Sequence, residues 1–385
     1  MADLPVYPSI NTPVAADKMN PIWYRYFQNR NKQIDEELAN LGAGAQVFST
    51  TEEAIDASID AKVKVIATYG IFTVGDNGGA IWIRGDIPSD GLGYITTADG
   101  ATWVMMPGQV VTPEQFGADP FLYTDSTTAF TNLATFITNR NFYDAGATTG
   151  LGFSEVRFYP NTVYQVWASV PPTQSTLMHF SSCYGLTIDF NGSEIETDVD
   201  FVSNTIITYY MIFTNCSHLK IINGDFYSSA LHNTSVAAPS DTYGSNTIVL
   251  QDRCTDVVIE NLMIFGGLGG IVCTRSSTGV RAYNITIDNY LAESVYYPLN
   301  LRKNGDNLTA NYRCRSCGRS YFPYNVRNHK IILEDLSAWP ITSSALIKVY
   351  ADNTEANIFN VTSDIDLQYT WIQNTVGSIS SVSPL

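Results

Sequence analysis

The sequence predicts a mainly β protein built as a parallel β-helix, and three observations carry that prediction. First, a marker recurs along the second half of the chain: a small residue, two residues of any type, then apolar–x–apolar, often with an acidic or amide residue behind it. It reads Cys183-Tyr-Gly-Leu186-Thr-Ile188-Asp189, Cys216-Ser-His-Leu219-Lys-Ile221, Cys254-Thr-Asp-Val257-Val-Ile259-Glu260-Asn261 and Ala282-Tyr-Asn-Ile285-Thr-Ile287-Asp288-Asn289. Fainter copies start at Gly305, Asn328 and Ala356, so the steps are 33, 38, 28, 23, 23 and 28 residues. A step that holds a floor and stretches by insertion marks a solenoid whose extra residues leave as loops. Second, apolar and polar residues alternate within each copy, which is the spacing of a strand and not of a helix. Third, only 15% of the residues are charged, against roughly 25% in ordinary domains. Ser, Thr, Asn and 23 Tyr supply polar surface instead, and neutral side chains stack rung over rung without like-charge repulsion.

Composition narrows the partners. A net charge of −16 argues against nucleic acid and anionic membrane surfaces. No stretch approaches the length of a membrane span, and Met1-Ala-Asp-Leu-Pro5 has neither the basic flank nor the apolar run of a secretory signal. Cys183, Cys216 and Cys254 hold the same slot in consecutive copies. An inward stack of small residues explains that better than disulfides. Cys314-Arg-Ser-Cys317 is a lone C-x-x-C without a second pair, and the four histidines form no metal motif. No cofactor and no metal are expected.

In chain order, residues 1–19 are Pro-rich and read as an extended arm ordered by a partner. Asn20-Pro21 opens a helix that runs to about Leu41 and stops at Gly42. Within it Tyr24, Asn31 and Leu38 share one heptad core slot, and Phe27, Ile34 and Leu41 share the other. The seam predicts oligomerisation; packing on the helix's own domain is the plainer alternative. Residues 45–110 read as a small α+β module. Ser49 to Glu52 and Thr50 to Glu53 both fit a capping box. Strands are expected at Val63–Tyr69, Ala80–Arg84, Gly93–Thr97 and Thr102–Met106, divided by Gly-rich turns. From Val111 a third segment starts, with a helix capped by Asp125 or Ser126 and running to about Asn139. It is apolar at Phe130, Leu133, Phe136 and Ile137, and a strand follows over Val156–Tyr164.

The stretch Phe116-Gly-Ala118, Thr124-Asp-Ser-Thr-Thr-Ala-Phe130, Phe158-Tyr-Pro160 and Tyr164 closely resembles the entry to the pectate-lyase-like right-handed β-helices of bacteriophage tailspikes. The Gly-rich module and the Pro-rich arm with its helix look like that family's particle-anchoring segments. The resemblance implies a virion tail protein assembled in the host cytoplasm as a homotrimer. Residues 1–44 would be a trimerising helix and arm, docked on a phage tail or adaptor protein. Residues 45–110 would be an anchoring module, and residues 111–385 a β-helix contacting host surface polysaccharide. Two further readings stand beside it. One is a polysaccharide glycosidase or lyase. The other is a structural adaptor for another receptor-binding protein, which the small number of marker copies before Leu385 leads one to expect.

The chemistry has several candidate sites. Asn223, Asn261 and Asn289, with Asp335, fall in one turn slot, as left-handed turns require. One residue earlier stand Asp189, Glu260, Asp288 and Glu334. Glu260 and Asp288, on neighbouring rungs about 4.8 Å apart, match the roughly 5 Å gap of a retaining glycosidase pair; an outward, solvated turn is the alternative. Arg253, Arg281 and Arg327 each precede a marker, with Asn304 between the last two, and suit an anionic glycan by bidentate contacts, or else form plain surface pairs. Asp225 and Asp252 are further acids. Tyr209, Tyr210, Tyr227, Tyr243, Tyr296, Tyr297, Tyr321, Phe322 and Tyr324 suit either sugar rings or a subunit interface.

Overall fold

The computed structural model describes residues 44–121, 124–141, 152–166, 175–197, 207–228, 244–274, 282–302, 306–315, 317, 321–324, 327–335, 347–349, 356–363, 372–374 and 379–383. The arm and the helix with its seam of Tyr24, Phe27, Asn31, Ile34, Leu38 and Leu41 lie outside the described residues. The chain falls into two compact units divided between Met106 and Pro107.

The first unit holds β1 (Ala45–Phe48), α1 (Thr51–Asp56), β2 (Val65–Thr68), β3 (Ile81–Arg84), β4 (Tyr94–Thr96) and β5 (Thr102–Met105), in a sheet ordered β1-β2-β3-β5-β4. Four of these strands fall where alternation and Gly turns put them. The parallel edge strand β1 was not legible, since four residues carry too little alternation. Thr50 caps α1: its hydroxyl accepts the Glu53 N–H at 3.1 Å, and the Glu53 carboxylate accepts the Ser49 N–H at 2.8 Å. The Asp76 carboxylate gathers the N–H groups of Ile71, Phe72, Thr73 and Gly78, which shapes the turn before β3. Trp103 is fully buried and donates its indole N–H to Thr97 at 3.1 Å.

The second unit opens with a 3₁₀ turn (Pro113–Phe116) and α2 (Thr127–Arg140). The Asp125 carboxylate accepts the Thr127 N–H at 3.0 Å, so it supplies the side-chain cap. Phe130, Leu133, Phe136 and Ile137 are buried as their spacing predicts. Then follow β6 (Glu155–Arg157), β7 (Val163–Val166), β8 (Ser175–Ser181), β9 (Thr187–Thr197), β10 (Ile207–Thr214), β11 (Ser217–Ser228), β12 (Gly244–Gln251) and β13 (Thr255–Phe265). The series continues with β14 (Gly269–Thr274), β15 (Tyr283–Glu293), β16 (Tyr297–Arg302), β17 (Asp306–Arg315), β18 (Tyr321–Tyr324) and β19 (Arg327–Asp335). It ends with β20 (Ile347–Val349), β21 (Ala356–Ser363), β22 (Ile372–Asn374) and β23 (Ile379–Ser383). The single strand expected over Val156–Tyr164 is two, because Pro160 and Asn161, with φ of 49°, break it.

From β8 onward the strands alternate between two parallel sheets. Even-numbered strands form an eight-stranded sheet, β22 to β8; odd-numbered ones, with β6 and β7, form the larger sheet. One even and one odd strand make a rung, which is the parallel β-helix. Ile188, Ile221, Ile259, Ile287 and Ala310 are in direct register, as are Leu219, Val257, Ile285 and Leu308. All are buried, with Leu186. Each such aliphatic side chain contributes about 1.5–3 kcal/mol on burial. Cys183, Cys216 and Cys254 are free and buried, as the stack of small residues requires. The first rung is covered by α2, whose Thr131 and Thr138 hydroxyls donate to the Leu177 and His179 carbonyls at 3.1 and 3.2 Å. That occupies the edge of β8, which would otherwise offer an open template.

The odd strands bend at left-handed residues. Asn223, Asn261 and Asn289 have φ of 60°, 55° and 49°, and their amides form a ladder: Asn261 donates to Asn223 at 3.0 Å and Asn289 to Asn261 at 2.9 Å. A second column, unread in the sequence, runs through Gly185, His218, Asp256, Asn284 and Asn307. There Asn284 donates to Asp256 at 3.0 Å and Asn307 to Asn284 at 3.1 Å.

The last two markers are misaligned in the sequence reading. Leu308 pairs with His329, and Ala310 with Ile331, so the copy read from Asn328 starts two residues earlier. His329 then pairs with Ala356 and Ile331 with Ile358. Asp335 pairs with Cys314 and Glu334 with Arg313, so neither belongs to the turn slots assigned to them. Both misassignments follow from the two-residue offset between β17 and β19, which short marker copies conceal.

Candidate functional site

Beyond the asparagine ladder, the odd strands alternate cleanly. Tyr164, Ile195, Phe226, Ile264, Ala292 and Cys314 point inward and are buried. The residues between them therefore form the outer face. One column runs Val163, Glu194, Asp225, Met263, Leu291, Arg313; its neighbour runs Gln165, Glu196, Tyr227, Phe265, Glu293, Arg315. Gly224 makes the bend possible, since a Cβ there would stand 2.6 Å from the Phe190 ring.

Three carboxylates gather at one end of this face. Glu194 and Asp225 are direct register partners, and Glu196 lies two residues along β9. Burial raises the pKa of Glu194, and the negative charges of Glu196 and Asp225 raise it further. Burial also raises that of Asp225, partly offset by the Met263 N–H that bonds to it. Glu196 is held by Gln165, whose amide donates to it at 2.6 Å. On the next rungs Tyr227 and Phe265 stack with ring centroids 4.7 Å apart and planes 2° from parallel. Both are half-buried, as are Met263 and Leu291 beside them. The Tyr210 hydroxyl, from inside the solenoid, donates to the Tyr227 carbonyl at 3.0 Å and fixes that strand end. Further along, Arg315 pairs with Glu293 at 3.5 Å. The arrangement is an acid pair on adjoining rungs, followed by an aromatic and aliphatic ridge.

The sequence-predicted residues fall elsewhere on the same strands. Glu260 and Asp288 are direct register partners, as expected from the repeat. Glu260 is 3.6 Å from Lys220, and exposed Asp288 accepts the Asn311 amide at 2.9 Å. Arg253 is exposed, with its backbone N–H on Asn215 at 3.4 Å. Arg281 lies outside the described residues. Arg327 pairs with Asp306, in line with Tyr283 and Thr255, two residues on from the slot of Arg253. The register thus separates two arginines that the marker alignment had stacked. Of the tyrosines, Tyr210, Tyr296 and Tyr297 are core, while Tyr227 faces outward. Glu194 and Glu196 were missed. Their signal was the run Glu194-Ile195-Glu196-Thr197 after Asn191-Gly192, a period-2 pattern beyond the marker's reach. Among the described residues no cluster of metal-ligating side chains occurs, and no helix is long and apolar enough to cross a membrane.

No family model and no curated protein matches the sequence. Solved structures similar to the chain are mostly phage tailspike proteins, with one tailspike-like glycan-modifying enzyme. The tailspike of Acinetobacter baumannii phage AM24 is 12% identical over 83% of this chain and 57% of that one, with a TM-score of 0.40. Pantoea stewartii WceF, a glycan biofilm modifying enzyme with a tailspike-like parallel β-helix, is 11% identical over 85% of this chain and 49% of its own, also at 0.40. Tailspike gp49 of A. baumannii phage Fri1, a capsular polysaccharide depolymerase, is 12% identical over 89% and 75%, at 0.27. The chain thus spans about half the length of the first two structures.

Proposed function

We propose that this chain is a tailspike-like virion protein whose β-helix binds a host surface polysaccharide on the outer face of its larger sheet and hydrolyses it there. One observation carries the catalytic part: Glu194 and Asp225 adjoin in register, both with carboxyl pKa values raised, beside the ridge of Tyr227 and Phe265. Rungs about 4.8 Å apart suit a retaining pair, whose carboxyls lie roughly 5 Å apart. Glu194, whose carboxyl pKa burial and two negative neighbours push up, is the general acid and gives its proton to the glycosidic oxygen as that bond breaks. Asp225, whose carboxylate the Met263 N–H stabilises, attacks the anomeric carbon. Water then cleaves the glycosyl-enzyme ester, returning a proton to Glu194. The ridge, with the Tyr227 hydroxyl at one edge, holds sugar rings on either side of the reacting bond.

We favour this pair over Glu260 and Asp288, which sit on a more open turn with Lys220 and Asn311 as partners. Arg253, Arg281 and Arg327 remain proposed as peripheral contacts for an anionic glycan. The sequence resemblance supports the rest of the proposal: an arm and trimerising helix over 1–44 that docks on the phage tail, a module over 45–110, and assembly in the host cytoplasm before incorporation in the virion.

The test is to incubate the full chain with host capsule or lipopolysaccharide and measure new reducing ends. Glu194→Gln and Asp225→Asn each abolish them while glycan binding persists; Glu260→Gln and Asp288→Asn leave them in place. Release by the double variant at Glu194 and Asp225 would overturn the catalytic assignment. Absence of both cleavage and glycan binding would favour a structural adaptor. Light scattering on the full chain checks the trimer, and a mass near the 42.4 kDa of one chain would refute it.

A further inference from the structure

The outer face changes character along the solenoid. Its first rungs carry Glu194, Glu196 and Asp225. Its middle carries Tyr227, Phe265, Met263 and Leu291, and its far part carries Arg313 and Arg315. The two arginines differ. Arg315 has its charge matched by Glu293 at 3.5 Å. Arg313 is exposed and makes no ion pair among the described residues; it follows half-buried Leu291 in its column, with Glu334 on the next rung. Three rungs separate Arg313 from Asp225, which is about 14 Å at the spacing of neighbouring strands. That exceeds the Debye length of about 8 Å at physiological salt, so the carboxylates at the first end do not compete for Arg313, whose nearest acid along its own column is Glu334.

We infer that Arg313 determines specificity by binding an anionic substituent of a glycan laid along the solenoid axis. The inference rests on the reading of this face as a glycan site. Charge complementarity fixes the direction. The carboxylates repel an anionic sugar from the first rungs, so the residue at the bond between Glu194 and Asp225 is uncharged. The ridge carries the chain onward, and the guanidinium receives a carboxylate or phosphate oxygen pair through two parallel N–H donors. An apolar flank on one side makes the pair stronger than a fully solvated one. The substrate class is therefore an acidic heteropolysaccharide with a neutral sugar at the cleaved linkage, and not a polymer charged on every residue.

The experiment applies the full chain to an array of bacterial surface polysaccharides, neutral and acidic, the acidic ones also in carboxyl-reduced form. Wild type is expected to bind acidic glycans, with affinity falling as salt rises, and to lose about tenfold on their carboxyl-reduced forms, as fits one charge-assisted contact. Arg313→Gln is expected to bind native and reduced forms alike, at the lower level. Tyr227→Ala is expected to weaken both. Equal binding of native acidic glycans by wild type and Arg313→Gln would overturn the role of Arg313, as would wild-type hits confined to neutral glycans. No binding to any glycan by wild type would instead defeat the proposed function of the face. Arg313→Gln is exposed and is expected to melt with wild type, which separates loss of binding from loss of fold.

Discussion

Glu194 and Asp225 occupy opposing positions on adjoining strands of the larger sheet; burial raises the pKa of both carboxyls, and the charge of Asp225 raises that of Glu194 further. Side chains directly opposite across a ladder interact most strongly, and like charges there oppose folding. A strand pair selected for stability alone would place a threonine or an opposite charge in one of these positions.

The contribution of this pair to stability is expected to rise as pH falls through the two raised pKa values. Both carboxyls have folded pKa values above their ordinary 4.5 and 3.8, the glutamate from burial and its acidic neighbours, the aspartate from burial. The folded chain therefore binds protons more tightly than the unfolded chain between the ordinary and the raised values, and the slope of unfolding free energy with pH is negative there. The destabilisation is fully present above the raised values and gone below the ordinary ones. The double variant Glu194→Gln, Asp225→Asn is expected to unfold at a higher temperature than wild type at pH 7, and the gap should close toward pH 4. A gap that stays constant across this range, followed by calorimetry, would contradict the assignment.

Replacing Ile259 tests the register of the inner column. Ile259 is wholly buried, between Ile221 and Ile287. Ile259→Ala is expected to cost about 2–5 kcal/mol through lost burial and the cavity left behind. Ile259→Asp is expected to cost more, because a carboxylate there has no partner. Urea unfolding of the full chain measures both. An aspartate variant as stable as wild type would place Ile259 outside the core.

These columns were legible because Leu219, Val257 and Ile285 repeat at a fixed distance from a small residue, and burial of one strand face enforces that period. The rule failed at Asn328, where the copy was read two residues late: Asn328 stands opposite Asn307 and not opposite Gly305. The outer face was less legible still. Glu194 and Asp225 are 31 residues apart in sequence, and only the bulge at Asn191 and Gly192 brings them into register. Glu260 and Asp288 lay within the marker, so spacing alone could find them; environment could not be read that way.

The asparagine ladder separates two contributions that its sequence pattern merges. Asn261 donates to Asn223, accepts from Asn289, and holds a φ of 55°. Asn261→Ala loses both bonds and forces alanine into the left-handed region, at about 1–2 kcal/mol for the conformation alone and about 1 kcal/mol for each bond at most, since the ladder is exposed. Asn261→Gly loses the same bonds without the conformational strain. The glycine variant is thus expected to be the more stable of the two in urea unfolding. Equal stabilities would mean that the turn, and not the ladder, relaxes to accommodate alanine.

The interior cysteines give a direct measure of how tightly the rungs close. All six are free and buried. Burial pushes the Cys254 thiol up to about 12, and Cys273 is raised for the same reason. Cys216 is raised because its thiol is held by Cys183, which is correspondingly lowered. Reaction with a disulfide reagent requires a thiolate and access. In native buffer at pH 7.5 the wild-type chain is therefore expected to label slowly, with Cys183 the first of the column to react and Cys254 and Cys273 reacting only as urea unfolds the helix. Labelling of Cys254 and Cys273 as fast as in the unfolded chain would show that the rungs open in the native state, and the inward column of small residues would then lose its physical basis.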